Sequence, residues 1–321
     1  MRPSERRLSG PLERLPDRRV TDVTWHSGSN AVIYLIHGIT GTPAEMGFVA
    51  AGLVRQGWDV CVPTLPGHCA RLRDLVKTNE SDWRAQVYRQ ISYLREQYDF
   101  VFAAGLSAGA LLALDAAVAM KVDGLGVLSP TFMYDGWNTP WSDAILPLCI
   151  KIVPRFLQPL FFHVDGSPYG VKDEVLREKI RGAYNPWAAF SEWVHVWWPW
   201  NNNDDVPLAV SHGYPLFPLR TLTEVDRLIR RVRGSLEKVT APTVILQAKD
   251  DDMTGPANAR LVYDSIRSSN KSLIILDDCY HVITVDKQKK EVIRRLNGFF
   301  ASCRRENPST AQVTSTAASF P

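Results

Sequence analysis

The 321-residue chain lacks cysteines at any spacing used for metal or redox chemistry. Cys61, Cys69, Cys149, Cys279 and Cys303 are scattered without a Cys-x-x-Cys pair. Their odd number leaves at least one unpaired, so a disulfide scaffold is disfavoured and a reducing, cytoplasmic setting is expected. Histidine and aspartate pairs at helical ligand spacing are missing too, and neither a metal nor another cofactor is expected. No apolar run is clean enough to span a bilayer: Ile145 to Phe162, the most apolar stretch, contains Lys151, Arg155 and three prolines. Charge of one sign is not in excess either. Thirty-seven basic and 34 acidic residues leave +3 at pH 7, interspersed along the chain, so no field points to nucleic acid or anionic lipid. No internal repeat is present.

What is there suits a chain that buries a full core: 45% of residues are hydrophobic and 22% charged. Short β-branched or apolar runs alternate with helical patterns, the signature of parallel strands joined by crossover helices. Strands are predicted at Ala31 to Ile36, Trp58 to Val62, Phe100 to Ala104, Gly124 to Leu128, Thr243 to Gln247 and Ser272 to Leu276. Helices are predicted at 43–56, Ser81 to Glu96 with Ser81 as its N-cap, Ala108 to Met120, Pro256 to Ser268 and Asp286 to Phe300. From Thr131 to Lys238 the alternation stops, and prolines, paired aromatics and seven of the ten tryptophans take its place. The reading is therefore an α/β core over 25–130 and 239–303, split by an aromatic-rich insertion at 131–238. A flexible arm over 1–24 and a polar, disordered tail over 304–321 are expected to flank it.

The strongest local signal is Gly105-Leu106-Ser107-Ala108-Gly109, a Gly-x-Ser-x-Gly run lying between a predicted strand and a predicted helix. Glycines two residues either side of the serine allow the tight strand-to-helix turn that presents a nucleophilic hydroxyl above a sheet edge. A serine hydroxyl needs a base. Of seven histidines, only His281 follows the last predicted strand, where this arrangement carries its base. An acid should follow the preceding strand to orient the imidazole, and Asp250, Asp251 and Asp252 all stand there. For the oxyanion, His37-Gly38-Ile39-Thr40-Gly41 follows the first strong strand, and the N–H groups of Ile39 and Ala108 are the expected donors. His37 and His68 read as structural residues of their loops rather than proton carriers.

With Pro66-Gly67-His68, these segments resemble the bacterial carboxylesterase and monoacylglycerol lipase group of the α/β-hydrolases, over residues 31–130 and 240–300. The resemblance implies an α/β-hydrolase fold with a mostly parallel sheet, and a lid formed by the insertion. The group's Gly-x-x-Asp pattern, laid on Ala248-Lys249-Asp250-Asp251, selects Asp251 as the acid. His281-Val282-Ile283-Thr284-Val285-Asp286 is similar to the group's segment around its histidine, which implies the triad Ser107, Asp251 and His281. The chain departs from the group at Ala110, Ala248 and Cys69, where glycine is common.

The expected activity is hydrolysis of a small-molecule carboxylic ester with an apolar acyl group through an acyl-enzyme on Ser107. Acyl transfer or thioester hydrolysis by the same triad is the alternative, and a noncatalytic hydrolase-fold binding protein is a third. Trp193, Trp197, Trp198 and Trp200, with Phe161 and Phe162, supply aromatic area in the insertion. They would pack the cap onto the core or line an acyl channel.

Overall fold

The computed structural model describes residues 11–139, 145–164, 166–183, 193–194, 213–214 and 216–306. Seven strands form the central sheet: β1 (Val23–Trp25), β2 (Ala31–Ile36), β3 (Asp59–Val62), β4 (Phe100–Leu106), β5 (Gly124–Leu128), β8 (Thr243–Ala248) and β9 (Lys271–Leu276). Their order across the sheet is β1-β3-β2-β4-β5-β8-β9. Only β1 pairs antiparallel; every other neighbour is parallel.

Burial on both faces explains the uniform apolarity of the strands. In β2, Val32, Tyr34 and Ile36 enter one core cluster, while Ala31, Ile33 and Leu35 enter the other. The second cluster is closed by α1 (Ala44–Arg55) and α9 (Lys289–Glu306), through Met46, Leu53, Leu296 and Phe300. The opposite face takes α3 (Glu80–Gln97), α4 (Ala108–Ala119), α7 (Leu219–Arg233) and α8 (Pro256–Ser265), after the short α2 (Leu72–Lys77). Helix α4 is buried from Ala108 through Ala116, which accounts for its near-absence of polar residues.

Several boundaries differ from the sequence reading for visible reasons. Helix α3 starts at Glu80, because the Asn79 side chain, rather than Ser81, accepts from the Ser81 and Asp82 N–H groups. Residues 11–24 pack instead of hanging free: Leu12 and Leu15 are buried, Gln90 Nε2 donates to the Pro16 carbonyl at 2.7 Å, and Asp22 accepts the Thr64 N–H at 2.6 Å. Residues 1–10 and 307–321 lie outside the described residues.

The segment expected as a single insertion also divides. Its last part, α7, is a core helix with Leu228 and Val232 buried beside α4. Before it come α5 (Leu146–Ile152), α6 (Glu174–Ala183) and a two-stranded antiparallel ribbon of β6 (Phe162–Val164) and β7 (Leu216–Pro218). No described helix is long and apolar enough to cross a membrane.

Candidate active site

Ser107 sits between β4 and α4 with φ 57° and ψ −120°, a left-handed conformation that a non-glycine residue holds only where its surroundings enforce it. The surroundings do so here. The Ser107 N–H donates to the Leu128 carbonyl at 2.9 Å. A methyl group on Gly105 would meet the Gly109 carbonyl oxygen at 2.0 Å, and one on Gly109 would meet the Ile36 oxygen at 2.3 Å. The two glycines are therefore required by close backbone approach.

The structure brings the other expected side chains to the same cavity, a space of about 290 Å³ that Ser107 and His281 both line. His281 Nδ1 lies 3.0 Å and 3.1 Å from the two carboxylate oxygens of Asp251. Of the three candidate acids, Asp251 alone reaches the imidazole. Asp250 points outward, 3.6 Å from Lys172 Nζ. Asp252 is buried and accepts the backbone N–H groups of His281 at 3.2 Å and Gly170 at 3.0 Å.

Asp251 is itself held in place. Its carboxylate accepts the Met253 and Thr254 N–H groups at 2.9 Å and 2.7 Å, and the Gln247 amide at 2.8 Å. Thr254 Oγ1 lies 3.2 Å from His281 Nδ1. Burial pulls the imidazole down, but the charge and hydrogen bond of Asp251, joined by the charges of Asp252 and Glu45, raise His281 above its ordinary value of 6.5. An imidazole so oriented can take a proton on Nε2 and hold the resulting charge.

Ser107 Oγ rests 2.9 Å from Thr131 Oγ1, a partner that sequence reasoning missed. Among the described residues, neither the Ile39 nor the Ala108 N–H donates to a partner. The loop bearing Ile39 is braced by two neutral histidines. His37 Nε2 accepts the Leu65 N–H at 3.1 Å while Nδ1 donates to the Gly38 carbonyl. His68 Nε2 accepts the Thr40 N–H at 3.2 Å while Nδ1 donates to the Pro66 carbonyl. Burial lowers His37 to about 4 and His68 well below its ordinary value. Among the described residues, no group of His, Cys, Asp or Glu converges to hold a metal ion.

The segment between the two halves of the core reaches both sides of this site. The Val282 N–H donates to the Gly170 carbonyl at 2.8 Å, and the Tyr214 N–H donates to the Thr40 carbonyl at 2.8 Å. Buried Asp286 gathers the N–H groups of Lys172 and Asp173 at 2.9 Å each, with that of Tyr280 at 2.7 Å. Tyr169, Val171, Leu176, Ile180 and Phe217 of this segment line the cavity, with Thr131 and Tyr134 at its start. Phe161 and Phe162, expected either to pack the insertion onto the core or to line a channel, are 52% and 38% exposed. Trp193 packs 6.0 Å from Phe162, and Trp197, Trp198 and Trp200 lie outside the described residues.

Comparison with known proteins agrees with this architecture. A thermostable monoacylglycerol lipase of Bacillus sp. (strain H-257) is 26% identical over 270 residues, spanning 84% of this chain and 90% of that one. A carboxylesterase of Bacillus subtilis (strain 168) is 24% identical over 268 residues, 83% of this chain and 90% of the relative. Among solved structures, one described with LipS and LipT, two metagenome-derived lipolytic enzymes, superposes with a TM-score of 0.67 at 23% identity, covering 88% of this chain and 97% of that chain. A soluble variant of the Saccharomyces cerevisiae monoglyceride lipase gives 0.67 at 16% identity, over 88% and 91% of the two chains. The family described as the Alpha/beta hydrolase family matches residues 33–295, and the chain belongs to it.

Proposed function

We propose that the chain is a serine carboxylic-ester hydrolase, of carboxylesterase or monoacylglycerol lipase type, working through Ser107, His281 and Asp251. The observation that carries this reading is the Asp251 to His281 hydrogen bond of 3.0 Å, opening on the same cavity as a strained, solvent-reachable serine. In the reaction the Ser107 hydroxyl turns from Thr131 to His281 Nε2, passes its proton there and attacks the ester carbonyl. The negative oxygen is held by the Ile39 and Ala108 N–H groups and by the positive end of α4. His281 returns the proton to the departing alcohol, and water, activated by the same imidazole, then releases the acid from the acyl-serine.

The described cap segments act as the lid of this reading, with the apolar wall of Val171, Leu176, Ile180, Phe217 and Met253 taking the acyl chain. A space of about 290 Å³ lies near the small end for ligand sites and favours short to medium chains. The named relatives, a monoacylglycerol lipase and a carboxylesterase, support the substrate class. A chain-length series of nitrophenyl esters and monoacylglycerols tests it: turnover should peak at short or medium acyl groups, and silence across the whole series would discard the proposal. Ser107→Ala should lower kcat by at least about 10⁴-fold and abolish labelling by a fluorophosphonate.

A further inference from the structure

Glu45, on the first turn of α1, lines the cavity beside Ser107. Its Oε2 accepts the Gly38 N–H at 3.0 Å. A methyl group built on Gly38 would stand 3.4 Å from that oxygen and 3.6 Å from Ser107 Cβ, so the carboxyl lies one small group away from the nucleophile's own carbon. A methyl on Gly41 would overlap the carboxyl group itself, at 2.2 to 2.4 Å. The glycines of this loop thus leave the space that lets an acidic side chain sit next to the reacting centre. The charge of Glu45 contributes to raising His281, but ester hydrolysis by Ser107 gives it no contact with the reacting atoms.

The remaining wall tells what such an acid faces. Among the described residues lining the cavity there is no lysine or arginine, and Glu45 is the only carboxylic acid. Three aromatic rings, those of Tyr134, Tyr169 and Phe217, share the wall. Aromatic faces with one carboxylate and no lysine or arginine beside it make an environment that, while His281 is neutral, attracts ammonium groups and repels anions. Burial holds the Glu45 carboxyl up to about 7, against the pull of the Gly38 N–H and the His281 charge.

We infer that Glu45 is a specificity-determining residue that selects esters by the charge of their alcohol part, favouring an ammonium-bearing alcohol over a neutral or anionic one. The inference rests on the ester-hydrolase reading of the site and deepens it. The carboxylate acts at the alcohol side, where charge is carried by the leaving group, and leaves the apolar acyl wall to choose the acid.

The test compares butyrylcholine with 3,3-dimethylbutyl butyrate, two esters of nearly equal shape that differ by one positive charge. At pH 8 the wild-type chain should show kcat/KM at least about tenfold higher for the choline ester. Glu45→Gln, which keeps an oxygen acceptor for the Gly38 N–H, should bring the ratio near one. In the wild type the ratio should also shrink at pH 6, where Glu45 is mostly protonated. Protonation of His281, whose charge faces Glu45, silences the enzyme toward both esters alike and so leaves the ratio unchanged. The pH 6 arm needs no substitution, so it stands if the variant fails to fold. A ratio that is the same in wild type and variant, or unchanged between pH 8 and pH 6, overturns the inference. So does turnover of neither ester while a fluorophosphonate still labels Ser107. Loss of that labelling would instead overturn the ester-hydrolase reading and the inference with it.

Discussion

At the scale of single residues, the site is a set of competing hydrogen bonds around one hydroxyl and one imidazole. Thr131 holds the Ser107 hydroxyl in the resting enzyme, so Thr131→Val removes a competitor for His281 Nε2. A net hydrogen bond of about 1 kcal/mol corresponds to roughly fivefold, and fluorophosphonate labelling should accelerate by up to that factor. A fall of tenfold or more would show that the threonine is needed in the reaction. Asp252 adds negative charge near His281 without touching its ring. Asp252→Asn removes that charge and keeps one acceptor oxygen, so one of the two backbone N–H groups, which reach different carboxylate oxygens, loses its partner. The imidazole then gives up its proton more readily, and the acid limb of the kcat/KM profile should move to lower pH. An unmoved limb would remove Asp252 from the electrostatics of the base. Ser107 and His281 were legible in the sequence because motif and chain order fix them. The choice among Asp250, Asp251 and Asp252 needed the resemblance, since three adjacent acids share one loop and only the turn made by Met253 and Thr254 decides which faces inward. Thr131 and Glu45 carried no sequence signal: each is an ordinary residue whose meaning comes from what folding sets beside it.

At the scale of elements, the loop over residues 37–41 depends on two histidines that must stay neutral. His37 at about 4 lies below the 6.5 of an unfolded histidine, so the unfolded chain binds more protons between those values. Stability is then lost as pH falls from 6.5 toward 4, by on the order of 3 kcal/mol for this group. The raised His281 works oppositely, adding stability below about 6.5 that disappears as pH climbs through its folded value. Urea midpoints measured from pH 7 to pH 4.5 should fall for the wild type. They should fall less steeply for His37→Asn, which starts less stable at pH 7, and equal slopes would contradict the bracing role. The doubly buried strands β2 and β5 were readable to the residue, because burial on both faces leaves nothing but apolar side chains. Strand β1 was missed, being three half-buried residues at an edge. Helix α7 was missed because its polar face carries many arginines and it follows a stretch without periodicity, although its buried face is regular. Leu228→Ala should lower stability by about 2 to 4 kcal/mol, measured by denaturant titration, whereas a loss below 0.5 would mean that α7 is not part of the core.

At the scale of the whole molecule, the layered α/β plan was visible in alternating patterns, but the division between cap and core was not. The inserted segment is anchored through backbone groups meeting Asp252, Asp286 and Thr40, and backbone partners leave no trace in side-chain periodicity. Asp286→Ala should leave the N–H groups of Lys172, Asp173 and Tyr280 without their buried acceptor. It should lower the melting temperature by several degrees and kcat at least about tenfold. A variant with normal turnover would show that the strap over the histidine loop is ornamental to the chemistry.

Because Gly170 grips the histidine loop while Tyr214 grips the loop of Ile39, the covering of the pocket and the reacting machinery hang from common pegs. A laboratory selection that reshapes residues near either peg to admit a new acyl group would therefore disturb turnover along with preference. Changes confined to Leu176 and Ile180, which line the pocket away from either peg, would alter preference while leaving the machinery in register.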